Sequence, residues 1–298
     1  MPWYMYALAT PAFYSISNFI DKYLIDKKIR EPMAITAVSS IVAGMLGLLV
    51  GFITGFKMIG YSQIALIMLG GMLLTFYLMP YFEAMKLEDA SRVVPLFQFI
   101  PVFTLILSSM FLHESLSLKQ ILGLFLVVLA GVSLGSDHFG SRLFKPRKSL
   151  VYMLLASFMY GSVGILFRLV VKESSFWSTL SYEYIGSGIA GIILLFLPRV
   201  YKNIEHDIDQ MKSAIGMIIF NNGVAEIAQI SESVALSKTS VPLVNLIGSL
   251  QPLISLVEGF VLTKKFPQLI KEDIRPEVIR GKLLSIGLIL IGLVLVYF

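Results

Sequence analysis

Residues 32–56, PMAITAVSSIVAGMLGLLVGFITGF, carry no charged side chain. Wound as a helix rising about 1.5 Å per residue, such a run crosses the roughly 30 Å hydrocarbon core of a bilayer. Comparable runs recur along all 298 residues. In hydrocarbon every backbone N–H and C=O must be satisfied by the chain itself, which leaves helices or closed barrels. The runs are continuous rather than alternating, which excludes a barrel. An all-α integral membrane protein is therefore expected. Composition agrees: 56% of residues are hydrophobic and 14% charged, against roughly 25% charged in an ordinary soluble domain.

Ten spans follow, at about 3–24, 32–56, 62–86, 91–112, 117–136, 149–171, 176–198, 211–236, 240–262 and 279–298. The first starts at Trp3 without a basic stretch or cleavage site before it, and is expected to be a retained helix rather than a signal peptide. The net charge of +5 comes from Lys and Arg gathered between spans, which fits the positive-inside effect and gives no reason to expect a nucleic-acid partner. There is no Cys, so disulfides and thiolate metal sites are absent.

The chain repeats itself. Residues 84–101, AMKLEDASRVVPLFQFIP, and 235–252, ALSKTSVPLVNLIGSLQP, both open on Ala and reach a proline seventeen positions on, Pro101 and Pro252. Tyr14 and Lys22 stand eight apart in the first span, as Tyr160 and Arg168 do in the sixth. Two five-helix units are expected, 1–140 and 149–298. An odd number of spans per unit makes the two units run in opposite senses, which is the inverted-repeat plan of many secondary transporters.

The stretch AMKLEDASRVVPLFQFIPVFTLILSSMFLHESLSLKQILG resembles the EamA-type branch of the drug/metabolite transporter superfamily through Ala84, Ala90, Ser91, Pro101, Leu112, Glu114, Gln120 and Gly123. Lys22 matches a basic residue that the family often carries late in its first helix. The second unit departs, with Lys265 where the pattern has Glu114. The resemblance implies ten spans, transport of small molecules with no cofactor, and termini in the cytoplasm.

Small residues in spans four and nine (Ala90, Ser91, Ser240, Gly248, Ser249) let backbones approach. Pro101 and Pro252 free a carbonyl and bend the helix. An ionisable residue at mid-bilayer costs roughly 2.5–3.5 kcal/mol on insertion scales and usually faces a cavity or a partner. In the eighth span Asn222, Glu226, Gln229 and Ser233 share one helical face, and that stripe is expected to line a cavity rather than serve only as an interhelical seam. Glu232 lies off it. Tyr14, Asn18, Tyr77, Tyr81, Tyr160, Asn245 and Ser249 complete the expected lining. Glu226, Glu232, Glu183, Arg168 and Lys22 are the candidates for coupling. Arg168 and Glu183 could pair, Asp21 and Lys22 read as an interfacial anchor, and Glu258 could reach Lys264 or Lys265. Glu114 reads as structural, a carboxylate at a helix start.

An intramembrane enzyme would need a catalytic constellation; the three His residues, His113, His138 and His206, are scattered between spans. Without a phosphate-binding loop, ATP drive within this chain is not expected. The reading is a secondary transporter of small organic solutes, amine, amino-acid-like or cationic, coupled to protons or another ion. Its alternative is a flippase or exchanger of a lipid-linked or phosphorylated metabolite. A prokaryotic inner or plasma membrane and a monomeric or homodimeric state are expected.

Most Lys and Arg residues fall in the connections after odd-numbered spans. By the positive-inside rule those connections are cytoplasmic and both termini outside, against the orientation implied by the resemblance. Because the chain has no Cys, single substitutions read topology without background. Ser141→Cys should be protected from an impermeant maleimide in intact cells and Phe298→Cys labelled. The opposite pattern restores the family orientation.

Overall fold

The computed structural model describes residues 2–28, 31–56, 59–112, 117–134, 147–239, 241–248, 250–265 and 276–297. Among them the secondary structure is helical throughout. The helices are α1 (Trp3–Lys27), α2 (Pro32–Thr54), α3 (Tyr61–Phe76), α4 (Leu78–Leu87), α5 (Ala90–Val93), a 3₁₀ turn (Val94–Gln98), α6 (Phe99–Leu112), α7 (Leu118–Leu134), α8 (Lys148–Val171), α9 (Phe176–Leu195), α10 (Pro198–Lys238), α11 (Val241–Gly248), α12 (Gln251–Lys265) and α13 (Pro276–Tyr297).

Local chemistry sets several boundaries. Glu31 accepts the Met33 N–H ahead of Pro32, an N-cap followed by a proline whose missing N–H is no loss in a first turn. The Ser175 hydroxyl accepts from the Ser178 N–H at the start of α9. Residues 199–210, expected as a connection, instead belong to α10, which runs 41 residues. Pro198 opens this helix, and its fixed φ suits a first helical position. In the expected span 62–86 Tyr77 separates α3 from α4, yet its N–H still bonds the Leu73 carbonyl and its carbonyl the Tyr81 N–H.

Spans four and nine are not continuous rods. The 3₁₀ turn Val94–Gln98 precedes α6, and α11 stops at Gly248 before α12 begins at Gln251. Pro101 and Pro252 both sit in the first turn after the break, where a proline costs no intrahelical hydrogen bond.

The polarity of the molecule is reversed relative to a water-soluble one. Phe52 is 84% exposed, Ile53 72% and Ile219 63%, whereas Asn18, Ser15, Ser157 and Glu183 are buried. So broad an apolar exterior is foreign to soluble monomers and matches contact with lipid. Among the described residues, three helical stretches are long and apolar enough to cross a membrane: Pro32–Thr54, Tyr61–Leu87 and Lys148–Val171.

Two ends of the bundle can be told apart. At one, Arg199 bonds Glu31 at 2.6 Å and Glu83 at 3.0 Å, and Arg147 bonds Glu88 at 2.6 Å. This network gathers the starts of α2, α8 and α10 with the end of α4. At the other end Gln63 bonds Glu173, and the Lys238 ammonium lies 5.4 Å from the Tyr6 ring centre. The loop bearing Arg142 and Lys145, along with Glu114, Ser240 and Ser249, lies outside the described residues.

Helix α9 is gripped from both sides through glycine. A Cβ added to Gly44 of α2 would lie 2.7 Å from the Gly188 Cα of α9. One added to Gly71 of α3 would collide with the Glu183 carbonyl oxygen, and one on Gly186 with that of Met68. A Cβ on Gly292 of α13 would come within 2.7 Å of the Gly123 carbonyl oxygen of α7. Lipid offers helices no hydrophobic incentive to associate, so close backbone approach supplies the contact.

Gly71→Ala must push α3 and α9 apart and should cost about 1–3 kcal/mol, the range for overpacking. At Gly223 of α10 an added Cβ meets nothing within 4 Å. Gly223→Ala should therefore leave stability within about 0.5 kcal/mol. Thermal unfolding of the two purified variants in detergent checks the contrast.

Candidate functional site

The bundle holds two adjoining chambers. The larger, about 490 Å³, lies between α1, α2, α3, α4, α9 and α10; the smaller, about 80 Å³, lies between α1, α8, α10, α11, α12 and the break in span four. Tyr14, Asn18 and Tyr77 line both and form the partition.

Each acid facing these chambers is held by a neutral donor. The Tyr160 hydroxyl donates to a Glu232 carboxylate oxygen at 2.5 Å, and its oxygen lies 3.1 Å from that of Tyr14. Tyr14 donates to the Gln229 side-chain oxygen at 2.6 Å. With each hydroxyl's one hydrogen so placed, the two bonds stand side by side, Tyr160 on Glu232 at the smaller chamber's wall and Tyr14 on Gln229 at the larger one's. In the larger chamber Tyr184 donates to Glu226 at 2.6 Å, and the Asn221 amide donates to Asp21 at 2.7 Å. The Tyr81 hydroxyl lies 2.9 Å from the Asn18 side-chain oxygen and 3.2 Å from Asp21. The Asn222 amide donates to Ser39 at 2.6 Å. Tyr77 meets Tyr160 edge-on, with ring centres 4.9 Å apart.

Sequence reasoning named part of this lining. Tyr14, Asn18, Tyr77, Tyr160 and Asn245 face the smaller chamber with Glu232 and Pro101; Tyr81, Asn222, Glu226 and Gln229 face the larger. Ser233, expected on the same stripe, is buried and lines neither chamber.

Several expected pairings are corrected. Asp21 is no interfacial anchor: it faces the larger chamber, because Tyr81 and Asn221 supply the hydrogen bonds that water would give at a surface. Lys22 turns away, donating to the Met85 carbonyl at 2.8 Å and pairing with Asp26 at 3.2 Å. Arg168 and Glu183 do not pair. The guanidinium donates to the Leu236 and Ser237 carbonyls near the end of α10, where exposed carbonyls favour a cation. Glu183 is fully buried, and neither carboxylate oxygen has a partner among the described residues. Glu258 accepts from Ser15 at 2.5 Å rather than reaching Lys264, whose ammonium lies 4.4 Å from the Phe260 ring centre.

Tyr184, Asn221 and Ser39 of the larger chamber, and Gln98 and Gln251 of the smaller, were not named as cavity residues from the sequence. Gln98, three residues before Pro101, and Asn221, beside Asn222, are polar residues inside apolar runs, and that signal could have found them. Tyr184 carries none, since tyrosine is common in membrane proteins.

The chambers' lining includes Asp21, Glu226 and Glu232 and no Lys, Arg or His among the described residues. A multi-pass helical membrane protein with acids, amides and tyrosine hydroxyls set among the apolar side chains of an internal cavity has the architecture of a transport protein. The EamA-like transporter family model matches residues 1–134. The chain belongs to this family, in the drug/metabolite transporter superfamily, whose members are transporters and not enzymes. An uncharacterised protein of Methanocaldococcus jannaschii is 31% identical over 138 residues, covering 44% of this chain and 94% of its own. A solved crystal structure, whose description names no activity, superposes with a TM-score of 0.59 over 96% of this chain and 97% of its own, at 15% identity. That likeness concerns the fold alone.

Pro101 lines the smaller chamber, and Pro252 follows Gln251 at its wall. An alanine at either position restores an N–H that can bond back across the break. Pro101→Ala and Pro252→Ala should each lower transport per folded molecule several-fold while unfolding temperature shifts little. Loss of expression or early melting, with unchanged transport per folded molecule, would make the prolines structural only.

Proposed function

We propose that the protein is a secondary active transporter of small organic cations or zwitterions, amines or amino-acid-like solutes, coupled to protons through alternating access. The observation that carries the reading is the lining: acids, amides and tyrosine hydroxyls with no facing base. A phosphorylated or lipid-phosphate substrate would call for inward Arg or Lys, and Lys22 and Arg168 are both engaged elsewhere. The flippase or exchanger alternative ranks lower on that ground.

Ten spans in two inverted units, 1–140 and 149–298, suit the mechanism. The packing supports this plan in pairs: α1 lies against α10 as α3 and α4 lie against α8, α1 meets α12 as α6 meets α8, and α2–α9 and α7–α13 join like-placed helices. A relative aligned over nearly its whole length to less than half of this chain also fits a unit of that size. Rocking of one unit on the other would open the partition of Tyr14, Asn18 and Tyr77 to alternate sides.

Glu226 is the group on which substrate and proton compete. Tyr184 orients it, and Asn222 and Gln229 flank it. Glu232 with Tyr160 offers the equivalent carboxyl on the other side of the partition, and the unpartnered Glu183 is a further place to hold a proton. Protonating a carboxylate that holds a cationic head removes the attraction and releases the solute.

Glu226→Gln keeps the shape and the acceptor for Tyr184 but removes the charge. In proteoliposomes it should abolish substrate-driven proton flux and weaken binding of a cationic substrate by about 1–3 kcal/mol, the range for an unpaired buried partner. Proton flux at the wild-type rate and pH profile would return the stripe to a purely structural role.

A further inference from the structure

We propose that the larger chamber opens sideways into the bilayer between α2 and α10, and that its ligand is an amphiphilic amine arriving from the lipid phase. The substrate class rests on the reading above; the portal rests on separate observations. Val38, Val42 and Leu46 of α2 and Ile215 and Ile219 of α10 line the chamber. The same side chains are 45%, 49%, 42%, 52% and 63% exposed. They are the exposed members of the chamber's lining, and they put its open side between α2 and α10.

The depth of that mouth decides what passes through it. Val42 and Leu46 lie near the middle of α2 (Pro32–Thr54), which is apolar over its length. An opening there faces acyl chains rather than water. A purely polar solute would have to cross hydrocarbon to reach it, whereas an amine with an alkyl tail already partitions to that depth.

The same chamber's wall also carries polar groups. Ser39, Asn222, Glu226 and Gln229 share the lining with these aliphatic side chains, as do Asn221 and Tyr81, 6% and 2% exposed. An apolar lip and a carboxylate in one chamber match a molecule with an apolar tail and a cationic head. The head would sit at Glu226 and the tail between Val42 and Ile219. A volume of about 490 Å³ falls within the roughly 300–1,000 Å³ of small-ligand pockets.

The test uses the full chain in nanodiscs, with ethyl-, butyl-, hexyl- and octylammonium as probes and partition into empty discs subtracted. Affinity should rise by about fourfold per methylene until the lip is filled. A bulky thiosulfonate adduct on Val42→Cys, unambiguous in a chain without cysteine, should reduce octylammonium affinity to the ethylammonium value, and a reductant should restore it. The same adduct on Met45→Cys, an exposed α2 residue that lines neither chamber, should change nothing. Affinity that is flat with chain length, or an adduct at position 42 that spares octylammonium or abolishes both amines together, overturns the portal and leaves the amine reading standing. Failure of every amine to bind overturns the substrate class itself and, with it, this ligand.

Discussion

The bundle depends on backbone meeting backbone at α9. Gly44 and Gly188 bring α2 and α9 together, and Gly71 and Gly186 do the same for α3 and α9. Lipid chains are as apolar as leucine, so side-chain burial cannot drive these helices together; close van der Waals approach and interhelical hydrogen bonds must. The Thr75 hydroxyl near this seam, 3.0 Å from Ser40 and 2.8 Å from Ser187, adds such bonds where no water competes. The clamped helices α2, α3 and α9 then share the wall of the larger chamber with α1, α4 and α10.

That space is where the polar groups go. In a soluble protein Asp21, Glu226 and Glu232 would be drawn to the surface. Here the surface is lipid, and a polar group does better among other polar groups in the interior. The tyrosines make the arrangement workable, since a phenol packs as an aromatic and donates one hydrogen bond to a carboxylate without bringing a counter-charge. Tyr160 on Glu232, Tyr184 on Glu226 and Tyr81 near Asp21 repeat one solution at three places. An Arg or Lys in their stead would neutralise the acids and remove their attraction for a cation.

Much of this was legible in the chain. Apolar runs near bilayer length announced helices in lipid, and the recurrence of residues 84–101 at 235–252 announced two related bends at prolines, where the structure places helix breaks just ahead of Pro101 and Pro252. The stripe of Asn222, Glu226 and Gln229 followed from helical geometry, because polar residues on one face of an apolar span must look at something polar. The same rule oversold Ser233, whose small hydroxyl is accommodated by helix packing. It undersold Asp21, whose place near a span end suggested the headgroups. Arg168 and Glu183 looked like partners by charge and depth, yet Arg168 found the carbonyls ending α10 and Glu183 found none among the described residues.

The sequence by itself determined the solvent, because a run of apolar residues long enough to span hydrocarbon has few other uses, and it determined which residues are too polar to face that solvent. It could not determine which polar residues share a chamber. Tyr14 and Gln229 are 215 positions apart, and Ser15 and Glu258 are 243; nothing local links them. Only the tertiary structure decided those meetings, and with them the division into two chambers and the sideways mouth between α2 and α10. The physical reason is that helical periodicity assigns a residue to a face, whereas the neighbour of that face is set by how closely glycine lets the backbones approach.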